Sequence, residues 1–117
     1  MIRLTVMYPA TPGSSFDWSH YLGPHLALAR QLLSPFGLLR IEIDRGVAGF
    51  PPGTPLHFHA IGHLFFSSAG ELERAMAATA PQLLADQRKY FSGESVVQVN
   101  EVVGTQAPAE RRGGASD

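Results

Sequence analysis

A chain of 117 residues fits one domain, and at that length roughly two-thirds of the unfolded surface can be buried without staples. The absence of cysteine excludes a disulfide scaffold, a thiolate nucleophile and any Cys-ligated zinc or iron–sulfur site. Nine basic against ten acidic side chains leave a net charge of -1, which offers no basic face to nucleic acid, and no apolar run approaches the ~20 residues of a membrane span.

The first residues, Met1-Ile2-Arg3-Leu4-Thr5-Val6, lack a signal peptide's charged head and cleavage site. The expectation is a cytoplasmic protein with neither membrane nor nucleic-acid partner. With 44% hydrophobic and only 16% charged residues, some apolar surface must be hidden, and a homo-oligomer is the simplest place for it.

Residues 2–8 read as a first strand, with Ile2, Leu4, Val6 and Tyr8 on one side and Arg3, Thr5 and Met7 on the other. Pro9, Pro12 and Gly13 end it. Phe16 then resembles a staple residue and Asp17 an N-cap for a helix running to about Leu33. Trp18, Tyr21, Leu22, His25, Leu28, Ala29 and Leu32 recur at spacings of three and four and so share a face. Gly23-Pro24 inside it predicts a kink or a restart, and Ser34-Pro35 stops it.

Residues 38–46 alternate as a second strand, with Leu39, Ile41 and Ile43 opposite Arg40, Glu42 and Asp44. Residues 47–56, rich in proline and glycine, predict a long loop serving as pocket rim or lid. Residues 57–66 form a third strand, apolar on both faces and hence central. Ser68 and Glu71 make a capping box for a second helix with Leu72, Ala75, Met76 and Thr79 inside. Pro81 breaks that pattern, and a shorter helical piece follows from about Gln82 to Lys89. Residues 95–103 are the fourth strand, and from Thr105 the chain reads as a disordered tail.

The order β-α-β-β-α-β predicts an α+β, ferredoxin-like domain over residues 1–104: one four-stranded antiparallel sheet with both helices on one face. The tail is 105–117. About half the residues of the open face are apolar, so that face should meet a partner, and two such sheets would close a dimeric barrel.

Two constellations carry chemistry. Tyr21 and His25, at i,i+4, point a phenol and an imidazole into whatever the helix covers. A satisfied core tyrosine and histidine is the plain alternative. In an apolar cleft, desolvation would favour neutral imidazole, fit to act as a general base. Tyr8 would supply an opposing donor. His57, His59 and His63 share one face of the third strand, and His-x-His on a strand suits a metal; no carboxylate on that strand completes the set. Asp17 is explained as a cap, Asp44-Arg45 as a surface or dimer-rim pair, and Asp86, Arg88 and Lys89 as a solvated helix end. No dinucleotide fingerprint, P-loop or nucleophile elbow is present in the sequence.

The pattern resembles the EthD family of small dimeric α+β barrel proteins over residues 2–103. The resemblance rests on Tyr8-Pro9, Phe16-Asp17, Tyr21-x-x-x-His25, Asp44-Arg45-Gly46, Ala60 to Phe66, Asp86 before Tyr90, and Val97 to Val103. It departs at Gly23-Pro24, since the family more often has its proline after the histidine. The resemblance implies a ferredoxin-like monomer, a homodimer, and a pocket between sheet and helices lined by His25. Family members are linked to breakdown of ethers and other small organic compounds and are often labelled reductases. Related barrels include cofactor-independent monooxygenases, muconolactone isomerases and polyketide cyclases, in which a buried His or Tyr acts on an activated carbon acid.

Three functions follow as expectations. One is an enzyme acting on a small apolar or aromatic molecule without organic cofactor, with His25, Tyr21 and His63 catalytic and Tyr8, Trp18, Leu22, Phe65 and Tyr90 contacting substrate. Its chemistry would be oxidoreductase- or monooxygenase-like, or isomerase- or cyclase-like. The second is a non-catalytic dimeric ligand-binding or accessory module. The third is a metal-dependent activity at His57, His59 and His63.

Overall fold

Strand β1 (Ile2–Pro9) lies inside the sheet because both of its edges are paired. In the computed structural model, which describes residues 1–109, β1 pairs antiparallel with β3 (Phe58–Phe66) on one side and β4 (Val96–Glu101) on the other. Strand β2 (Arg40–Arg45) adds to the far edge of β3, giving the order β2-β3-β1-β4 with every pair antiparallel. This is the ferredoxin-like arrangement expected from the element order, and β3 is central as its apolar character predicts.

Alternation assigns the two faces. Leu4, Val6, Leu64 and Phe66 point toward the helices and form the main core with Ala29, Leu33, Leu72 and Ala75. Phe66 and Leu33 have no exposed surface; burying a side chain of this kind contributes about 1.5–3 kcal/mol.

The first helical segment has three parts. Asp17 caps α1 (Trp18–His20), its carboxylate accepting from the His20 N–H at 3.2 Å. A π-helical turn follows over Tyr21–His25, then α2 (Leu26–Leu33) and a 3-10 turn at Ser34–Phe36. The expected disturbance at Gly23-Pro24 is this wider turn. Pro24 has no N–H to donate, and the Leu26 N–H is shared between the Gly23 and Tyr21 carbonyls.

The insertion changes which residues face inward. In a regular α-helix each step of four residues turns the face by about 40°. The wider turn takes part of this back, so Tyr21, His25, Ala29 and Leu33 are all buried. Leu22, expected on the inner face, is 48% exposed.

Of the expected capping box at the second helix the N-cap half forms, with Ser68 Oγ accepting from the Glu71 N–H at 3.2 Å, while the Glu71 carboxylate accepts from Ser67 Oγ instead. The helix itself, α3 (Ala69–Gln87), runs unbroken through Pro81. Pro81 and Ala77, whose carbonyl loses a partner, both lie on the exposed side, where water satisfies a freed carbonyl cheaply.

The loop between β2 and β3 is long, as expected, but it does not rim the cavity. No residue of 47–56 lines the cavity, and Val47 and Phe50 are 89% and 88% exposed. Residues 102–109 carry no helix or strand; of the expected tail, 110–117 lie outside the described residues.

Candidate active site

Between the sheet and the helices lies a cavity of about 300 Å³, at the small end of ligand-site volumes. Its sheet wall is Leu4, Val6, Ile41, Ile43 and Leu64, and its helix wall includes Leu26, Ala29, Met76 and Leu83. Leu84 on α3 and Val97 on β4 line it too, yet each is about half exposed, which puts the mouth between these elements. The polar lining groups of the cavity are Tyr8, Tyr21, His25, Gln87 and Tyr90, and the phenols and imidazole gather at one end.

His25 is anchored by a residue the sequence reading assigned to solvent. Asp86, near the end of α3, is 9% exposed, and its Oδ2 lies 2.8 Å from His25 Nδ1 and 3.1 Å from His20 Nε2. Its other oxygen lies 3.6 Å from the exposed Lys89 ammonium. The turn after α3 is stitched to the first helical segment: the Asp17 N–H donates to the Tyr90 carbonyl at 2.8 Å, and Phe16 and Phe91 form a bridge. That stitching carries Tyr90 over the His25 ring, with centroids 4.6 Å apart.

The proton positions follow from the partners. Burial pushes the Asp86 carboxyl up, but the hydrogen bonds from His25 and His20 outweigh it and hold the group below the usual carboxylate range. An ionised carboxylate only accepts, so His25 Nδ1 carries a proton. Burial keeps the His25 imidazole below its ordinary 6.5 despite Asp86, so the ring is neutral and Nε2 is an acceptor. The Tyr90 hydroxyl, at 3.2 Å, donates to it. With that proton used, Tyr90 accepts from the Tyr8 hydroxyl at 2.6 Å. The Tyr21 hydroxyl donates to Tyr8 in turn, so a directed row runs Tyr21, Tyr8, Tyr90, His25, Asp86. Burial, with help from neighbouring phenols, pushes Tyr8, Tyr21 and Tyr90 above the ordinary 10 for a phenol, so all three stay protonated.

Tyr8, Tyr21, Phe16, Tyr90 and Phe91 pack mostly edge to face, with most centroids 5.0–5.6 Å apart, each contact worth about 0.5–1.5 kcal/mol beyond the area buried. Gly62 on β3 makes room for one of these rings. A Cβ there would stand 2.6 Å from the Tyr21 hydroxyl. Gly62→Ala is expected to displace Tyr21 and destabilise the fold by about 1–3 kcal/mol through overpacking. Urea unfolding of the variant measures this, and an unchanged midpoint would mean the ring has space to spare.

The expected site residues divide. Tyr8, Tyr21, His25 and Tyr90 come together in the cavity. Trp18 does not line it; it packs tilted against Phe16, with the Arg45 guanidinium 4.6 Å above its ring. Leu22 points to solvent. His63 and Phe65 lie on the opposite sheet face, because alternation on β3 sends Gly62 and Leu64 to the cavity and their neighbours away. There His63 Nδ1 meets Thr5 Oγ1 at 3.2 Å and its Nε2 meets Asp44 at 3.2 Å, while Phe65 lies under the Arg40 guanidinium at 3.9 Å. His59 pairs instead with Ser14 at 2.9 Å. His57 lies just before β3 rather than on it, and among the described residues no group of three or more His, Cys, Asp or Glu converges as a metal set, so His57, His59 and His63 do not form one.

No family model matches the chain, and no curated protein matches it. Solved structures do. An EthD-like protein from Ralstonia eutropha matches at a TM-score of 0.82 and 29% identity, over 91% of this chain and 95% of that one. The chain is similar to EthD-like proteins in structure and sequence. An ethyl tert-butyl ether D (EthD) family protein from Bacillus halodurans matches at 0.69 and 21% identity, over 88% of this chain and 99% of that one. A protein from Arabidopsis thaliana matches at 0.64 and 12% identity, over 92% and 100%. These last two bear on the fold alone. Among the described residues, no helix is long and apolar enough to cross a membrane.

Proposed function

We propose that this EthD-like protein binds a small apolar or aromatic organic molecule in the cavity and moves a proton at its polar end, with His25 as acid–base centre and no organic cofactor. The observation that carries the reading is an aliphatic cavity whose phenols and imidazole sit at one end, with that imidazole neutral and backed by a buried carboxylate. Such a pair suits proton transfer to and from a carbon acid or hydroxyl, as an isomerase, cyclase or cofactor-free oxygenase requires. A thermal-shift screen of phenols, quinols and small ketones, followed by product analysis under air and under argon, tests it. No stabilisation by any compound would sink the reading.

A second reading has one observation in its favour. Both ring nitrogens of His25 already hold partners, Asp86 and Tyr90, as befits a group that shapes a binding site without reacting. Stabilisation by ligands with no product under either atmosphere would favour that binding module.

We further infer a homodimer through the open sheet face. Contrary to the expected half-apolar surface, that face is mostly polar: Arg3, Thr5, Glu42, Asp44, His63, Gln98 and Asn100 sit on it, by strand alternation and register. Arg3 Nε is buried there without a hydrogen-bond partner, and a buried unpaired donor is costly. A second sheet would supply acceptors. Light scattering at low and high salt should return the mass of two chains, loosening with salt; a monomer under all conditions would end the inference.

A further inference from the structure

We propose that the cavity selects a neutral ligand bearing a hydroxyl, a phenol or an enol, which enters body-last and donates its O–H to the outer end of the tyrosine row. This rests on the cavity being a ligand site and specifies what enters it.

The direction of the row decides the chemistry. Asp86 accepts only, so every group outward from it must donate inward: His25 through Nδ1, Tyr90 to Nε2, and Tyr8 to Tyr90 at 2.6 Å. Each hydroxyl spends its single proton toward Asp86. Tyr8 accepts in turn from the Tyr21 hydroxyl, whose ring centroid is 5.4 Å away, so the last oxygen of the row is on Tyr21, and it turns a lone pair outward into the cavity it lines. A lone pair wants a donor. A ligand hydroxyl satisfies it, while an ether or ketone oxygen would meet it acceptor to acceptor.

Charge excludes the anionic alternative. Among the described residues, no lysine or arginine lines the cavity. The ionised group nearest its polar end is Asp86, one residue behind the wall, and the Lys89 ammonium beside it is exposed and reaches only the oxygen turned away from His25. A carboxylate ligand would surrender its hydration, find no cation and face a like charge. A neutral hydroxyl surrenders little and gains a partner already in place. The apolar body then fills the aliphatic part of the cavity toward the mouth at Leu84 and Val97.

Three probes of one shape test this by calorimetry at pH 7: 2-naphthol, 2-methoxynaphthalene and 2-naphthoate. 2-Naphthol should bind about fivefold to tenfold more tightly than the methyl ether, the worth of one hydrogen bond, and naphthoate should bind most weakly. Tyr21→Phe should erase the difference between naphthol and its ether. Should that variant unfold, Tyr8→Phe serves instead, because it removes the acceptor of the Tyr21 proton and leaves that proton free to face the ligand. Naphthoate equal to naphthol, an ether binding as tightly as naphthol, or a preference that survives both substitutions would overturn the proposal and leave the cavity reading intact. No binding by any of the three would bring down both.

Discussion

His25→Gln is expected to cut turnover by about 10²-fold or more, the usual worth of a positioned acid–base group, while the fold survives. Glutamine can donate to Asp86 and accept from Tyr90, so neither partner is orphaned. The same substitution should remove a specific acid sensitivity. Burial makes folded His25 bind its proton more weakly than the unfolded chain does, where 6.5 is ordinary. The stability contributed by this group is therefore complete above pH 6.5 and is lost as pH falls from there through the lowered folded value. Asp86, facing it from α3, and His20 beside Asp86 are the ionisable groups that modulate the shift, with Tyr21 and Tyr90 packed on the ring. The melting temperature of the native protein should drop more steeply between pH 7 and 5 than that of the glutamine variant. Parallel curves would show that burial does not hold His25 neutral.

The fold was legible because β1 and β2 alternate, β3 is apolar on both faces and each helix start carries its cap: Asp17 and Ser68 both cap where their chemistry predicts. Half of the candidate site was legible for a related reason. Tyr8, Tyr21 and His25 are polar groups on apolar faces, which only a pocket or a satisfied core explains. His63 and Phe65 were misplaced because β3 is apolar on both faces, so composition cannot say which face meets the helices; Gly62, holding space for Tyr21, is the residue that decides it. Asp86 was missed through Pro81. Ending the helix there discards the run Leu72, Thr79, Leu83, Asp86, Tyr90, whose steps of three, four and seven keep one face inward. Read through the proline, that spacing puts an aspartate in the core, and a core carboxylate demands a partner. Without it, Arg88 and Lys89 make the segment resemble an ordinary solvated end.

Asp86→Asn is the substitution that separates the roles of carboxylate and imidazole. An asparagine oxygen still accepts from His25 Nδ1–H, so the ring should keep its place. What disappears is the negative charge, and that charge together with the hydrogen bond is what raises the His25 proton affinity against burial. The imidazole pKa should therefore fall further, and a step needing transient protonation of His25 should slow by about 10²-fold, with the acid limb of its pH profile shifted downward. Imidazole nitrogen NMR reads both quantities, the Nδ1–H tautomer and the titration. An unchanged His25 titration would remove Asp86 from the row. Asp86→Ala should differ in kind. It strips the acceptor from His25 and His20 together, leaving a buried N–H unpaired, and should cost about 1–3 kcal/mol of stability. The carboxylate's own contribution also has a pH signature. Its folded pKa lies below the ordinary 3.8, so its stabilisation is present above that value and lost as pH falls through the folded one. The alanine variant should thus lose most at neutral pH and converge on the native protein in strong acid. A gap between the two that stays constant down to pH 2 would assign the loss to packing and leave the ion pair without a role.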